Sequence, residues 1–543
     1  MDAQGFKEMG NATIDYIIDY HQNIRDRPVL PSIKPGYLRP MMPESMPQEP
    51  DQWQEVLKDM DKLIMPGVTH WSSPRFHSYY PSGMSYPSIV GEMISASLGV
   101  IGFSWMSSPA CTELELVLMD WVAKAMDLPK EFLNSSDGPG GGIIQGSASE
   151  ATLLGLIVAK DKTVRRIQEL NPDLSEQEIK AKLVCYTSDQ ANSSVEKAGI
   201  LASVPIRLLH ADETGRLRGE TLRAAIDKDK KNGLIPCYVV ANLGTTGTCA
   251  FDALDEIGPI CKQEDLWLHV DAAYAGSALV CPELRSLMPG IHHVDSIVIN
   301  FHKWFKVSFD CSGMWFRNTV DVELALKVER IYLKHRSEGE IPDLRNWQIP
   351  LGRRFRSLKL WFTLRLYGLS GLQNYIRKHV AIAKHCEKEL LKDSRFMLAS
   401  PTSLGLVCLR LKGGDDMNTK LLEELNIRRN IYLIPASLNG HVFLRLVICG
   451  DMNDADITFT INEIKTAANI VIAAEEALKI SEKENINATD NENNIKPKVE
   501  SRKNSINIEM IKNSLSCCTE KCSIKQKSNN LNSTQCYINP AHS

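Results

Sequence analysis

A lysine stands between a histidine and a tryptophan just past a short β-rich apolar run, in Asp295-Ser-Ile-Val-Ile-Asn300-Phe-His302-Lys303-Trp304. Thirty-two residues earlier a carboxylate closes a similar run, in Leu266-Trp-Leu-His269-Val-Asp271-Ala-Ala273-Tyr274. An amine and a carboxylate at neighbouring strand ends are the pair that pyridoxal 5'-phosphate chemistry requires. The amine binds the cofactor aldehyde covalently, and the carboxylate keeps the pyridine nitrogen protonated so that the ring takes up electrons. Burial beside aromatic rings lowers a lysine pKa, which favours a reactive amine over an ordinary surface ammonium.

A phosphate needs its own seat. The run Pro139-Gly-Gly-Gly142-Ile-Ile-Gln145-Gly146-Ser147-Ala148-Ser149-Glu150 leads into a helical pattern over 151–159. Read as a glycine-rich turn at a helix start, it offers backbone N–H groups, the hydroxyls of Ser147 and Ser149, and the positive end of the helix dipole. A second polar turn, Leu243-Gly-Thr-Thr246-Gly-Thr248, brings Thr246 within reach of the phosphate or the ring edge.

These residues need strands to hold them. Helical periodicity alternates with β-rich runs at 182–187, 237–241, 266–271 and 296–300, which predicts an α/β domain with a largely parallel sheet over 86–375. Strands at 406–411 and 442–447 among helical patterns predict a smaller α+β domain over 376–478. Residues 1–85 combine one helical segment with seven prolines between Pro28 and Pro50, too dense for a helix interior. That segment is expected to lie over something else, such as a second subunit. From Ser481 onward, twelve asparagines and a lack of periodicity predict a disordered tail, taken as 479–543.

Composition narrows the class. The chain has 543 residues, 43% hydrophobic and 24% charged, with a net charge of −4 that gives no reason to expect nucleic acid as a partner. No apolar run approaches the ~20 residues that span a bilayer, and the N-terminus has no secretory or transit pattern. Ten of fourteen cysteines are scattered singly from Cys111 to Cys449, as reduced buried thiols would be. A cytoplasmic enzyme is expected. The tail's Cys517, Cys518 and Cys522 lack zinc-site spacing, and no metal is expected.

Residues 1 to about 478 resemble the aromatic L-amino-acid decarboxylase family of fold-type I pyridoxal phosphate enzymes. The resemblance rests on Phe76-His-Ser-Tyr-Tyr-Pro81, Ser107-Ser-Pro-Ala-Cys-Thr-Glu-Leu-Glu115, Gly146-Ser-Ala-Ser-Glu-Ala151, His269-Val-Asp-Ala-Ala-Tyr-Ala-Gly276, Asn300-Phe-His-Lys-Trp304 and Trp347-Gln-Ile-Pro-Leu-Gly-Arg-Arg-Phe-Arg356. It implies a large, mostly parallel, seven-stranded sheet domain with a smaller α+β domain after it. It implies a homodimer whose N-terminal segment wraps the partner. Lys303 and Asp271 are then the lysine and aspartate of the cofactor, with Ser147, Ala148, Ser149, Thr246, Ala273 and Asn300 around it, and His302 is expected as a further catalytic residue. Trp71, Tyr79, Tyr80, Pro81, Ser82, Ile101 and Phe103 match the residues of the aromatic side-chain pocket. The polar segment 328–345, with Tyr332, Lys334 and His335, matches a mobile catalytic loop whose tyrosine returns a proton after carbon dioxide leaves.

One position departs from the decarboxylases. Where they carry a histidine over the cofactor ring, this chain has Asn192 in Ser188-Asp-Gln-Ala-Asn192. An amide has no aromatic face and does not titrate near neutrality. Reprotonation after decarboxylation is then slowed, and reaction with dioxygen competes. In this the chain resembles the insect aromatic acetaldehyde synthases, which turn an aromatic amino acid such as L-dopa, with dioxygen, into an aldehyde, carbon dioxide, ammonia and hydrogen peroxide. The alternative is a plain decarboxylase that makes the amine. A second departure, Ser82-Gly83-Met84, keeps a hydroxyl for a catechol, while Gly83 is expected to loosen the pocket wall.

Overall fold

The structure, a computed structural model, describes residues 1–328, 330–334 and 339–492. Seven strands, β1 (Gly141–Gln145), β2 (Leu183–Ser188), β3 (Ile206–Leu209), β4 (Ile235–Asn242), β5 (Trp267–Asp271), β6 (Ser296–Asn300) and β7 (Ser312–Phe316), form one sheet in the order β1-β7-β6-β5-β4-β2-β3. Neighbours from β3 to β6 pair in parallel, and β7 runs antiparallel to both β6 and β1. Side-chain alternation sends Val239 and Ala241 of β4 into one core and Tyr238 and Val240 into another. The helices Pro109–Ala125, Gly219–Lys231 and Leu254–Glu264 cover the first face, and Ala148–Leu170, Ser193–Ala202 and Thr319–Leu326 cover the second. Both faces are therefore apolar, as parallel strands require.

The expected runs match β2, β4, β5 and β6 to within about two residues. Strand β1 was read as a turn, and the reason is packing. A Cβ on Gly142 would stand 2.5 Å from the Trp315 indole, and one on Gly141 2.8 Å from Trp347. These glycines make room for two buried indoles, and the strand signal is lost with their side chains. Strand β7 hides in the same way, because Gly313 lies under Phe301. Strand β3 is the edge, with Arg207 and Leu208 exposed, and shows no inward alternation.

Four antiparallel strands, β8 (Phe396–Ser403), β9 (Leu406–Leu411), β10 (Ile434–Leu438) and β11 (His441–Val447), form a second sheet in the order β10-β11-β9-β8. Its core includes Leu421 and Leu425 from the helix Asp415–Arg428 and Ile457, Ile461 and Ile464 from the helix that starts at Asp454. The helix Arg356–Leu391 runs straight through the expected division at 375, with a kink at Gly368 (φ 65°, ψ 174°). Met1–Glu475 form one packed unit. Helix Asp454–Glu492 continues past the expected tail start at 479, and the tail cysteines lie outside the described residues. The ten cysteines from Cys111 to Cys449 are free and buried.

The N-terminal segment opens with the helix Ala3–Gln22, capped by Asp2. Beyond the prolines, a strap over 76–83 runs from the small sheet to the lysine. Phe76 bridges to Tyr432, the His77 carbonyl accepts from the Val447 N–H, and the Gly83 N–H donates to the His302 carbonyl at 2.5 Å. A Cβ on Gly83 would lie 2.7 Å from the Val307 carbonyl oxygen and 3.1 Å from that of His302. This reverses the expectation of a loosened wall: glycine here lets two backbones touch. Gly83→Ala is expected to cost about 1–3 kcal/mol, the usual penalty for overpacking, seen as a lower melting temperature. A Gly83→Ala protein that melts with the wild type would mean that the strap is not held there.

Candidate active site

The carboxyl ends of β4, β5 and β6 open on one edge of the sheet, where ligands of open α/β sheets bind. Asn242 pairs with Asp271 across β4 and β5, and Asp271 lies opposite Val298 on β6. Two residues beyond Val298 is Asn300, after which the single helical turn Phe301–Trp304 presents Lys303. A cavity at this edge is lined by Lys303, Asp271, Asn300, Ala273, Thr246 and Asn192, and by Ser147, Ala148 and Ser149. The sequence reading thus named most of its wall.

Burial sets the electrostatics. It pushes the Lys303 amine below its ordinary value, and the positive charge of Arg445 pushes the same way, against the pull of Asp271. It pushes the Asp271 carboxyl up, against the pull of Lys303 and of the Ala273 N–H, which donates to Asp271 Oδ1 at 3.0 Å. Each charge is tolerated because the other is present, since an isolated buried ion costs several kcal/mol. Burial thus favours the neutral, nucleophilic amine at Lys303, while Asp271 in its carboxylate form is the group that would keep a ring nitrogen protonated.

At the other end of the cavity, Ser147 caps the helix Ala148–Leu170, its Oγ accepting from the Glu150 N–H at 3.2 Å. The Ala148 and Ser149 amides are in the first turn, where no intrahelical acceptor exists. Asn300 lines the same cavity, and the Ser312 hydroxyl donates to its Oδ1 at 2.6 Å. A nucleophilic amine, a buried carboxyl and an anion seat of amides and hydroxyls are the donor set that pyridoxal phosphate needs, and the residues fit it.

Asn192 caps the helix Ser193–Ala202. Its Oδ1 accepts from the Ser194 N–H at 3.0 Å, and its Nδ2 donates to Thr246 Oγ1 at 3.1 Å. The turn that carries Thr246 is tied down by Thr245 Oγ1, which accepts from the Ala250 N–H at 3.0 Å, and by the Tyr80 hydroxyl, which donates to the Thr245 carbonyl at 3.0 Å. Tyr80 stacks on Tyr274 (3.9 Å between centroids), Tyr274 stacks on Trp304 (4.6 Å), and the Lys303 ammonium position lies 5.4 Å from the Tyr80 centroid.

Sequence reasoning missed Arg445. This buried guanidinium lies 4.9 Å over the Tyr80 ring and donates to the Gly247 carbonyl (3.1 Å) and the Tyr79 carbonyl (2.9 Å). It joins the strap to the Thr246 turn from β11, almost two hundred residues on, where no local signal marks it. Ser194, Asn242 and Tyr274 also line the cavity. Asn242 ends an apolar strand as Asp271 does, and the same signal would have found it.

Other expected residues lie elsewhere. His302 is turned to the main chain, with Nδ1 2.9 Å from the Cys311 carbonyl oxygen, and burial lowers its pKa to about 4. It does not line the Lys303 cavity. Trp71 and Tyr79 stack on each other (5.3 Å, 11°) and are half exposed, Tyr79 at a positive φ of 53°. Pro81 is buried within the strap, and Ser82 lines a separate cavity with Trp71, Lys306 and Tyr375. Ile101, 62% exposed, faces a third cavity with Gly146 and Arg353, and Phe103 is partly buried beside it. Tyr332 is exposed on the turn Ile331–Leu333, held by Arg345 Nη1 donating to the Leu333 carbonyl at 2.8 Å. His335 lies outside the described residues. Among the described residues no helix is long and apolar enough to cross a membrane, and no cluster could hold a metal ion.

Known proteins match this chain over most of its length. The pyridoxal-dependent decarboxylase conserved domain matches residues 35–412. The 3,4-dihydroxyphenylacetaldehyde synthase of Drosophila melanogaster is 54% identical over 86% of this chain and 92% of its own. The aromatic-L-amino-acid decarboxylase of Manduca sexta is 51% identical over 88% and 95%. Among solved structures, the Oryza sativa TDC with PLP and tryptamine superposes with a TM-score of 0.83 at 34% identity, covering 86% of this chain and 98% of that one. The chain belongs to the pyridoxal-dependent decarboxylase family, and pyridoxal phosphate is its cofactor.

Proposed function

We propose that this enzyme decarboxylates an aromatic L-amino acid, L-dopa foremost, and oxidises the amine carbon in the same turnover. L-dopa, dioxygen and water give 3,4-dihydroxyphenylacetaldehyde, carbon dioxide, ammonia and hydrogen peroxide. The amine carbon loses two electrons to dioxygen, water supplies the aldehyde oxygen, and nitrogen leaves as ammonia. The single observation that carries this reading is Asn192, whose amide borders the cavity where the decarboxylases resembled above carry an imidazole. When bound, pyridoxal phosphate supplies an electrophilic aldehyde and a ring that accepts the electrons freed as the carboxylate leaves. Lys303 supplies the amine that holds it, Asp271 keeps a proton on its ring nitrogen, and the Ala148–Ser149 turn with Asn300 seats its phosphate. Tyr332 is the proton donor of the competing amine-forming route, acting from the 328–345 loop.

The identities of 54% and 51% to an aldehyde synthase and a decarboxylase differ too little to choose between the two outcomes. The product does. Purified enzyme given L-dopa in air is expected to form aldehyde, ammonia and peroxide in equal amounts. Dopamine without peroxide would leave the plain decarboxylase. Asn192→His is expected to move at least half of the product to dopamine; an unchanged ratio would clear Asn192 of the choice.

The enzyme is further proposed to act as a cytoplasmic homodimer. The helix Tyr86–Leu98 exposes Tyr86, Val90, Met93, Ile94 and Leu98 together, and Ile101 follows it. A contiguous apolar face of this kind marks a protein contact. In the dimer, Ile101 and Phe103 of each protomer would close the other's pocket, which explains why neither reaches Lys303 within one chain. Ile101→Asp is then expected to raise KM at least tenfold and weaken the dimer in sedimentation velocity. A dimeric variant with wild-type KM would refute the arrangement.

A further inference from the structure

The orientation of the Asn192 amide is settled by the helix that it caps. Only an oxygen accepts the Ser194 N–H, so Oδ1 faces the helix and Nδ2 faces Thr246. Thr246 Oγ1 therefore receives a hydrogen bond. A threonine hydroxyl has one proton of its own to give, and among the described residues no protein acceptor takes it. Thr246 is partly accessible and lines the Lys303 cavity. The residue before it, Thr245, is held by the Ala250 N–H and the Tyr80 hydroxyl, and the Thr246 hydroxyl itself is held by the Asn192 amide. With the amide on one lone pair of the oxygen, the hydroxyl proton is directed away from Asn192 and is free for an acceptor in the cavity that Thr246 lines.

We propose that Thr246 is a second product-determining residue, a donor aimed by Asn192 at an anionic oxygen in the cavity, and that the two side chains act as one unit. The inference rests on the oxidative reading above and deepens it: the oxygen that it would meet is that of reduced dioxygen. Asn192 orients the hydroxyl but cannot recharge it, because an amide neither gains nor loses a proton near neutrality. An imidazole at the same position would be able to pass a proton through the hydroxyl. The pair thus offers a hydrogen bond to an oxyanion, and Asn192 adds no second proton donor to Tyr332 on the amine-forming route.

A four-member cycle tests this: wild type, Thr246→Val, Asn192→His and the double variant, with Thr246→Ser as the control that restores the hydroxyl. The aldehyde-to-amine ratio is expected to fall at least fivefold in Thr246→Val and to recover in Thr246→Ser. The double variant should match Asn192→His, since a unit is broken only once. The melting temperatures of the cofactor-free proteins give a readout independent of turnover, and there too the two losses should be less than additive. Strictly additive losses in both readouts would overturn the coupling. A Thr246→Val protein that keeps its product ratio but raises KM would assign the donor to the substrate carboxylate and overturn the role in oxygen chemistry. If the wild type makes amine alone, the oxidative reading falls and the role of Thr246 in product choice falls with it. The melting-temperature cycle then still decides whether the pair is coupled.

Discussion

The amine of Lys303 and the buried carboxyl of Asp271, brought to the same sheet edge, are the pair on which the rest of the site depends. Lys303 and Asp271 are each pushed toward neutrality by burial and held back by the other. Such a pair is stable only if its geometry is rigid, because removing one partner leaves an uncompensated buried ion. Rigidity comes from the parallel register of β4, β5 and β6, buried on both faces, which delivers Asn242, Asp271 and Asn300 to one edge. The helix Ala148–Leu170 covers the same face and brings its N-terminal amides to the same cavity. The sheet is thus the device that makes the charge pair affordable.

Around this edge, segments distant in the chain are locked by backbone contacts and by one guanidinium. The strap over 76–83 meets the Lys303 turn through Gly83 and His302, and Arg445 fastens its Tyr79 carbonyl to Gly247. Tyr80 sits within this clamp, stacked on Tyr274 and hydrogen-bonded to the Thr246 turn. The N-terminal segment and the small sheet are therefore working parts of the site. Asn192 belongs to the same economy of shared groups, since one amide both caps a helix and orients Thr246.

The strands that carry Asp271 and Asn300 were legible because each is a short, mostly apolar run that ends in one polar residue. Strands β1 and β7 were not, because their glycines exist to fit the rings of Trp315, Trp347 and Phe301, contacts that only the fold creates. The same blindness turned Gly83 into a supposed gap, when its missing side chain is what allows close contact. His302 shows the opposite error: an imidazole next to the key lysine reads as chemistry, yet its ring is committed to the Cys311 main chain.

The cofactor was readable from residue type and local context: a lysine and an aspartate at strand ends and a serine-bearing helix start. The departure at Asn192 was readable too, as a matter of residue identity. How those groups are aimed follows from the fold. Arg445 finds Tyr80 across more than three hundred residues, Asn192 finds Thr246 across fifty-four, and neither partner carries a local mark of the other. The physical reason is that residue type fixes what a group can donate or accept, whereas direction and burial depend on contacts that only folding creates.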